Sequence, residues 1–397
     1  MGFSISLKVT VAAIAVPIVV ARGGAEVSGA HDPVAHRSAE VTPPSVSVVV
    51  ALSTGGKKNG RGWLDVGSLG GGLRRLTPQP PEGAGTIDEH PAWSPDGKSI
   101  AFVRSDGRNA VIYTIPREGG SPVAIASFAS SAYLPYPNYL PYPVWSADGS
   151  KLVFDRFGDV ECQPKRAFRL RFTVATIGGG LRDIAALPRP RRGVVLGGES
   201  WSPDDAHLLY SILDFYGGPC EGHAGEYEDL LYVIDANGHG RRLLARRYVI
   251  GYPTWSPDGR RIAYVSDCDA VNGGPAHVVG IDGKQRRAFK VSGCALDLAW
   301  EPDGSALLVS DPGGLRRIEL ASGRRQTIVR WPSNTGPPDE LLGVSPDGRW
   351  LAVLGDDESA PISVTLIPLT GGASVTYGVR PETPGQSLDD FFDLTFR

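Results

Sequence analysis

The sequence of 397 residues has few of the features that mark helical proteins. Methionine occurs once, and long runs of apolar residues at helical spacing are missing. Glycine and proline are plentiful instead, with 51 and 33 residues. Because both residues favour turns over the interiors of helices, this composition predicts a turn-rich, all-β chain.

A strong charge of one sign is also lacking. The 40 Lys and Arg residues and the 43 Asp and Glu residues give a formal net charge of -3. A protein that binds nucleic acid through its phosphates needs a basic surface, so we expect no nucleic-acid partner. Arg-Arg pairs do recur beside predicted strands, and we interpret most of them as charged outer edges that discourage sheet pairing between molecules.

The linear motifs of several enzyme classes are absent from the sequence. There is no His-Glu-x-x-His, phosphate-binding P-loop, Cys-x-x-Cys or Gly-x-Ser-x-Gly segment. These motifs mark zinc peptidases, nucleotide-binding proteins, paired-cysteine sites and α/β-hydrolases. The sequence therefore leaves enzymatic activity open and favours a non-catalytic role.

The N-terminus has the layout of a secretory signal peptide. A segment with one positive charge precedes an apolar run of 13 residues, Val9 to Ala21. A transmembrane helix needs about 20 residues, so the run is too short to span a bilayer. Small residues up to Ala30 favour cleavage there, and an uncleaved anchor is the alternative. We expect residues 1–30 to be a signal peptide, 31–45 a flexible segment and 46–397 the folded domain of an exported protein without a stable membrane span.

One phrase returns six times along the chain. Its first copy reads Pro91-Ala-Trp-Ser-Pro-Asp-Gly-Lys-Ser-Ile-Ala-Phe-Val103. The equivalent positions are Trp93, Trp145, Trp201, Trp255, Trp300 and Val344, which lie 52, 56, 54, 45 and 44 residues apart. A period of this length is typical of β-propeller blades.

Each copy of the phrase predicts a β-hairpin. An apolar strand ends at Trp, Ser-Pro-Asp-Gly turns the chain, and a second apolar strand follows. Asp205 replaces the Gly in the third copy, and Asp tolerates the left-handed conformation better than most residues. We interpret the repeated aspartates as turn residues rather than as metal ligands or catalytic acids; they are Asp96, Asp148, Asp204, Asp258, Asp303 and Asp347.

The two ends of the chain predict how the ring closes. Each hairpin is followed by two further strands, which gives four antiparallel strands per blade. The segments Val46 to Leu52, Gly62 to Val66 and Leu73 to Leu76 resemble a blade without its first strand, and Phe391 to Phe396 resembles that strand. We therefore predict a β-propeller of seven four-stranded blades, with the N-terminal blade closed by the C-terminal strand. A six-bladed ring is the alternative.

The Trp-Ser-Pro-Asp-Gly phrase with its two following strands resembles the PD40, or TolB-like, branch of propellers related to WD40 repeats. The resemblance covers nearly the whole chain after the predicted signal peptide. It implies a propeller fold, but fold alone does not assign a function. Prolyl oligopeptidase-type enzymes carry similar propellers joined to an α/β-hydrolase domain, which we do not expect here.

The long insertions all fall on one predicted face of the ring. Turns after strands one and three emerge on one face, and loops after strands two and four emerge on the other. The insertions lie on the second face, and loops held by a rigid scaffold are where ligands and partners are usually bound. They are Ser127 to Tyr142, Asp155 to Ala167, Pro188 to Glu199, Asp214 to Asp229 and Asp267 to Ala276.

All four cysteines fall on this same predicted face. Adjacency favours the disulfides Cys162 with Cys220 and Cys268 with Cys294, which suits an oxidising compartment. A metal cluster is the rival interpretation.

The insertions also supply the candidate ligand-binding residues. The segment Tyr133 to Pro143 repeats Tyr-Leu-Pro-Tyr-Pro, and it either offers rings to a ligand or packs as a rigid crossover. Acidic loops beside it either bind Ca²⁺ or a basic partner, or form a solvated surface. The candidates are Tyr133, Tyr136, Tyr139, Tyr142, Asp155, Asp159, Asp214 and His223.

Two functions remain open from the sequence. The leading hypothesis is a monomeric binding or assembly scaffold in the periplasm, cell envelope or extracellular space, which engages a protein or a glycan and needs no cofactor. The alternative is a propeller lyase or hydrolase with an axial, metal-assisted site. Such a site would draw on His90, His223 and Asp297 together with the acidic loops.

Overall fold

The computed structural model describes most of the chain after residue 41. The described residues are 42–54, 60–107, 109–129, 141–157, 170–186, 193–215, 227–247, 250–266, 274–291, 293–331, 340–355, 363–378 and 387–396. The predicted signal peptide and most of the predicted flexible segment therefore lie outside them. No helix in this part of the chain is long and apolar enough to cross a membrane.

The described residues form seven four-stranded antiparallel sheets, which are the blades of a β-propeller. Blade 1 consists of β28 (Ser387–Phe396), β1 (Val46–Thr54), β2 (Arg61–Ser68) and β3 (Arg74–Arg75). Blade 2 consists of β4 (Ile87–Trp93), β5 (Ser99–Ser105), β6 (Asn109–Pro116) and β7 (Val123–Ala129). Blade 3 consists of β8 (Val144–Trp145), β9 (Lys151–Phe157), β10 (Leu170–Thr176) and β11 (Leu181–Ala186).

The other four blades follow in chain order. Blade 4 consists of β12 (Gly193–Trp201), β13 (His207–Phe215), β14 (Tyr227–Asp235) and β15 (Arg242–Arg247). Blade 5 consists of β16 (Ile250–Trp255), β17 (Arg261–Ser266), β18 (Ala276–Gly280) and β19 (Arg287–Phe289). Blade 6 consists of β20 (Asp297–Trp300), β21 (Ala306–Asp311), β22 (Gly314–Glu319) and β23 (Arg325–Val329). Blade 7 consists of β24 (Glu340–Val344), β25 (Trp350–Gly355), β26 (Ser363–Pro368) and β27 (Val375–Gly378).

The repeated turn is held by its own side chains. In blade 2, Ser94 Oγ donates to Asp96 Oδ1 at 2.7 Å, and the same oxygen accepts the amide of Lys98 at 3.0 Å. The amide of Ser99 donates back to Ser94 Oγ at 2.9 Å. Burial raises the pKa of Asp96, but these hydrogen bonds outweigh that effect and lower the pKa below its usual value. The carboxylate is thus engaged within the turn.

The repeated tryptophans connect neighbouring blades. The Nε1 of Trp145 donates to the carbonyl of Ala92 at 3.0 Å. The three later tryptophans make the same contact at 3.3 Å with Val144, Ser200 and Thr254, in each case the residue before the previous Trp. A buried indole N–H needs a partner, and the repeat supplies one across each of these interfaces.

The hydrophobic core is divided among the interfaces between blades. Seven clusters of buried side chains each join two adjacent blades, including blade 7 and blade 1. In the cluster between blades 7 and 1, Trp350 and Val364 pack with Val48, Leu394 and Phe396. Every blade therefore packs on both of its neighbours, and the ring is closed.

The predicted closure and blade number are confirmed. The C-terminal strand β28 pairs antiparallel with β1, with Phe396 opposite Val46 and Leu394 opposite Val48. It thereby supplies the first strand of a blade whose other three strands come from the N-terminal part of the chain. The six-bladed alternative is excluded.

Candidate functional site

The strand order assigns each connection to one of two faces of the ring. We call the face that carries the Ser-Pro-Asp-Gly turns and the turns between third and fourth strands the turn face. Connections after second and fourth strands lie on the opposite face, which we call the loop face. The five predicted insertions fall at connections on the loop face, namely β7 to β8, β9 to β10, β11 to β12, β13 to β14 and β17 to β18. The prediction of Pro188 to Glu199 as an insertion is wrong over most of its length, because β12 already begins at Gly193.

Many candidate ligand residues fall in the undescribed parts of these insertions. Asp214 lies in β13, but its side chain is not described. Only the side chains of Tyr142 and Asp155 lie within the described residues. The candidates outside the described residues are Tyr133, Tyr136, Tyr139, Asp159 and His223.

Tyr142 forms an aromatic pair with His90 across the interface of blades 2 and 3. Their rings stack with centroids 3.7 Å apart and planes inclined by 13°. His90 Nδ1 donates to the carbonyl of Pro141 at 3.0 Å. Burial lowers the pKa of His90 to about 4, although this carbonyl acts in the opposite direction. The ring is therefore neutral at physiological pH and fixes the end of the Tyr-Leu-Pro-Tyr-Pro segment.

Tyr142 and His90 share one position in the repeat. Each lies three residues before the Trp of its blade, and Asp297 occupies the same position in blade 6. Asp297 is buried, its Oδ1 accepts the amide of Leu298 at 2.6 Å, and its Oδ2 accepts the amide of Leu341 in blade 7 at 2.7 Å. These positions thus connect the innermost strands of neighbouring blades.

Two further carboxylates also accept backbone amides of the next blade. Asp393 on β28 accepts the amide of Trp93 at 2.7 Å, and Asp229 accepts the amide of Ile250 at the same distance. In each pair the carboxylate and the amide belong to successive blades. Innermost strands have an unpaired edge, and these side chains satisfy part of its N–H groups.

An ion pair closes the loop-face end of blade 2. Asp88 is fully buried, and its carboxylate accepts hydrogen bonds from Arg104 Nε at 2.6 Å and Nη2 at 2.8 Å. Removing one partner of such a pair would leave a buried charge. Single-sequence patterns gave no signal for it, because the two residues lie 16 positions apart on different strands.

The other candidate residues can be placed as follows. Asp155 is buried near the end of β9. Cys294 is the cysteine among the described residues, and it is disulfide-bonded. The predicted pairings involve Cys162, Cys220 and Cys268, which lie outside the described residues, so both pairings stay predictions. No group of three or more potential metal ligands occurs among the residues that the structure describes.

Comparisons with known proteins give local sequence similarity and many similar folds. No family model matches the chain. A segment of 63 residues is 48% identical to the Tol-Pal system protein TolB of Thioalkalivibrio sulfidiphilus (strain HL-EbGR7). This match covers 16% of the chain and 14% of that protein, so it is local.

A lyase and an endopeptidase are among the solved structures that share the fold. An oligogalacturonate lyase in complex with manganese is 16% identical, with a TM-score of 0.53 over 81% of this chain and 90% of the other. A structure from a study of two prolyl endopeptidases is 14% identical, with a TM-score of 0.58 over 86% of this chain. The chain spans about half of that protein, 50% of its length. At these identities the similarity concerns the fold alone.

Proposed function

We propose that this chain, a TolB-like β-propeller, is a non-catalytic binding or assembly scaffold that works outside the cytoplasm and engages a protein or glycan through its loop face. The main support is the distribution of its insertions, which fall at connections on that face. A ring whose blades pack on both neighbours is a rigid support for such loops.

The hydrogen bonds of Asp297 and His90, the two described candidates for an enzymatic site, favour binding over catalysis. A general acid or base must reach a substrate proton. Asp297 instead accepts backbone amides with both carboxylate oxygens. His90 donates Nδ1–H to a carbonyl and stacks its ring on Tyr142. Among the described residues, these two enzyme candidates therefore serve the fold.

We further propose an oxidising location, because the predicted disulfides would restrain the long loops there. Cys294 is consistent with this location as a disulfide-bonded residue. Ca²⁺ at the acidic loops remains a proposal of the same kind, in which carboxylates such as those of Asp159 and Asp214 would supply the oxygen ligands.

Photo-crosslinking from defined positions tests the proposed face. A photoreactive amino acid is placed at Tyr136 or Tyr139 for the loop face, and at Lys98 or Lys284 for the turn face. Both lysines are more than four-fifths exposed, so these control positions are accessible. Cells expressing each variant are irradiated, and adducts are identified by mass.

We expect one defined adduct from the loop-face positions, lost when the neighbouring tyrosines are changed to Ala, and none from the turn face. The same adduct from Lys98 or Lys284 would contradict the choice of face. A glycan array with the wild-type chain and the Tyr136→Ala and Tyr139→Ala variants separates glycan from protein partners.

A lyase is the second candidate function, because the manganese-bound lyase shares the fold over 81% of this chain. Incubating the chain with oligogalacturonate and Mn²⁺ tests it. Turnover that disappears in Asp297→Asn, in protein that remains folded, would favour this alternative over the scaffold.

A further inference from the structure

The outer edge of blade 2 differs from the outer edges of the other blades. In every blade the fourth strand is outermost, and its second edge has no pairing strand among the described residues. Such an edge presents a row of N–H and C=O groups that pairs readily with another extended chain. Proteins block these edges by keeping them short or by placing charges on them.

Six of the seven described outer strands carry one of these protections. Strands β3, β11, β15, β19 and β23 all contain arginine, and β27 has 4 residues. Some of these arginines also bind the neighbouring blade: Arg182 Nη2 donates to the carbonyl of Ala236 at 2.9 Å, and Arg74 and Arg287 donate to the carbonyls of Arg117 and Leu320.

Strand β7 has neither protection. It is 7 residues long and reads Val-Ala-Ile-Ala-Ser-Phe-Ala, without charge, proline or glycine. Val123 is 60% exposed, the highest value among the large hydrophobic residues in the described part of the chain, and Ala124 and Ser127 are exposed as well. A register shift at Ile125 interrupts its pairing with β6, but the outer strands of blades 3, 4 and 6 have a similar shift. The shift therefore does not explain the difference.

We propose that β7 pairs antiparallel with β7 of a second copy of this chain, which joins two propellers edge to edge as a two-fold dimer. A backbone edge selects another strand as its occupant. If β7 paired with a strand that carries a charge, that charge would lose water without gaining a partner, so an uncharged strand is the better match. The β7 strand of a second copy is uncharged and meets this condition. When two β7 strands pair antiparallel, the free edge of each copy is covered by the other, so the assembly is complete at two copies.

The dimer is weak. A strand of 7 residues extends about 23 Å, at about 3.3 Å per residue. One pair of such strands buries less than the roughly 1,600 Å² of a typical stable interface. This assembly lies beyond the proposed function, since it uses the rim of the ring and not the loop face. It also replaces the monomer that the sequence alone favours.

Sedimentation velocity of the processed full-length chain tests the proposal. Over about 1 to 500 µM we expect the weight-average mass to rise toward twice the monomer mass, as for a micromolar dissociation constant. Val123→Lys, at a side chain exposed enough to leave the fold intact, should raise that constant at least about tenfold, because two lysines would meet an edge without partners.

Leu243→Lys is the matched control. Leu243 is 41% exposed on β15, an outer strand that already contains arginine, so this change should leave dimerisation unaltered. Hydrogen exchange adds a second measurement: amides of β7 should become protected as the concentration of the wild-type chain rises.

A chain that stays monomeric to about 500 µM would overturn the proposal, since even weak edge pairing shows at that concentration. So would a dimer that Val123→Lys leaves intact. Loop-face crosslinks are unaffected by either result, so failure of the dimer is distinguishable from failure of the binding function.

Discussion

At the scale of single residues, two departures from the repeat compensate each other across one interface. The Gly of the turn in blades 3, 5, 6 and 7 faces the Pro of the preceding blade, and a Cβ added to this Gly would lie 3.5 to 3.7 Å from the Pro Cδ. At the interface of blades 3 and 4, Ala147 stands in place of this Pro and Asp205 in place of this Gly. Asp205 accepts the amides of Ala147 at 2.5 Å and of Asp148 at 2.9 Å.

The first prediction is that these two positions are energetically coupled. Asp205→Gly relieves the left-handed conformation (φ 56°) but leaves two N–H groups without a carboxylate, and Ala147→Pro removes one of those groups. We expect each single change to lower the free energy of unfolding by about 1 kcal/mol. The double variant restores the Pro and Gly pair of the other blades. Its loss in free energy of unfolding should therefore be smaller, by about 1 kcal/mol, than the sum of the losses of the two single variants.

Urea denaturation of the wild type, both single variants and the double variant measures this coupling. Gly259→Asp is the control, because it places the same carboxylate opposite Pro203, which has no N–H to donate. Additive effects of Ala147→Pro and Asp205→Gly would contradict the compensation.

At the scale of secondary-structure elements, the closing strand β28 contains a carboxyl group whose ionisation opposes folding. Burial raises the pKa of Asp393 to about 7, and a like charge on Glu340 adds to this effect, while the amides of Trp93 and Leu394 act against it. The residue is held in place by its hydrogen bond to Trp93.

The second prediction concerns pH. Because the folded pKa of Asp393 is raised from 3.8 to about 7, the folded state retains a proton that the unfolded chain has released. The stability that this provides is complete below pH 3.8, decreases as the pH rises to about 7, and changes no further above it. Asp393→Asn keeps an acceptor for the Trp93 amide but cannot ionise.

Urea midpoints of the wild type and Asp393→Asn between pH 5 and 8 check this effect, since other groups contribute equally to both proteins. We expect the advantage of the Asn variant to grow as the pH rises. Parallel profiles would show that Asp393 does not titrate in this range.

The elements also show what the sequence can and cannot predict. Trp93 and its equivalents located the hairpins because the Ser-Pro-Asp-Gly turn is a local signal, and the pattern at Phe391 to Phe396 predicted the closing strand. The ties from Asp297 to Leu341 and from Asp393 to Trp93 left no signal, because each joins residues far apart in sequence through one hydrogen bond. The uncharged edge of β7 was readable in the sequence, but its meaning required the knowledge that β7 is outermost.

At the scale of the whole molecule, the ring is closed by a strand that no hairpin anchors. Every other first strand is followed by its partner through a turn, whereas β28 and β1 lie more than 300 residues apart in the sequence. A strand that is not joined to its partner by a hairpin detaches more readily, because only non-covalent contacts hold it against that partner. The side chains of Leu394 and Phe396 in the cluster between blades 7 and 1 are what oppose this opening.

The third prediction is therefore that the ring opens at β28 before it unfolds. In native-state hydrogen exchange, β28 amides should exchange at a lower free energy than amides of β5 in blade 2, through a partial opening that leaves the other blades intact. Leu394→Ala should lower the β28 value further by about 2 to 5 kcal/mol, the usual cost of emptying a buried leucine site. Leu307→Ala, at a fully buried position in blade 6, serves as the control and should affect β21 more than β28. Equal exchange free energies for β28 and β5 would mean that the ring unfolds as one unit, and that the C-terminal strand is held as firmly as a hairpin.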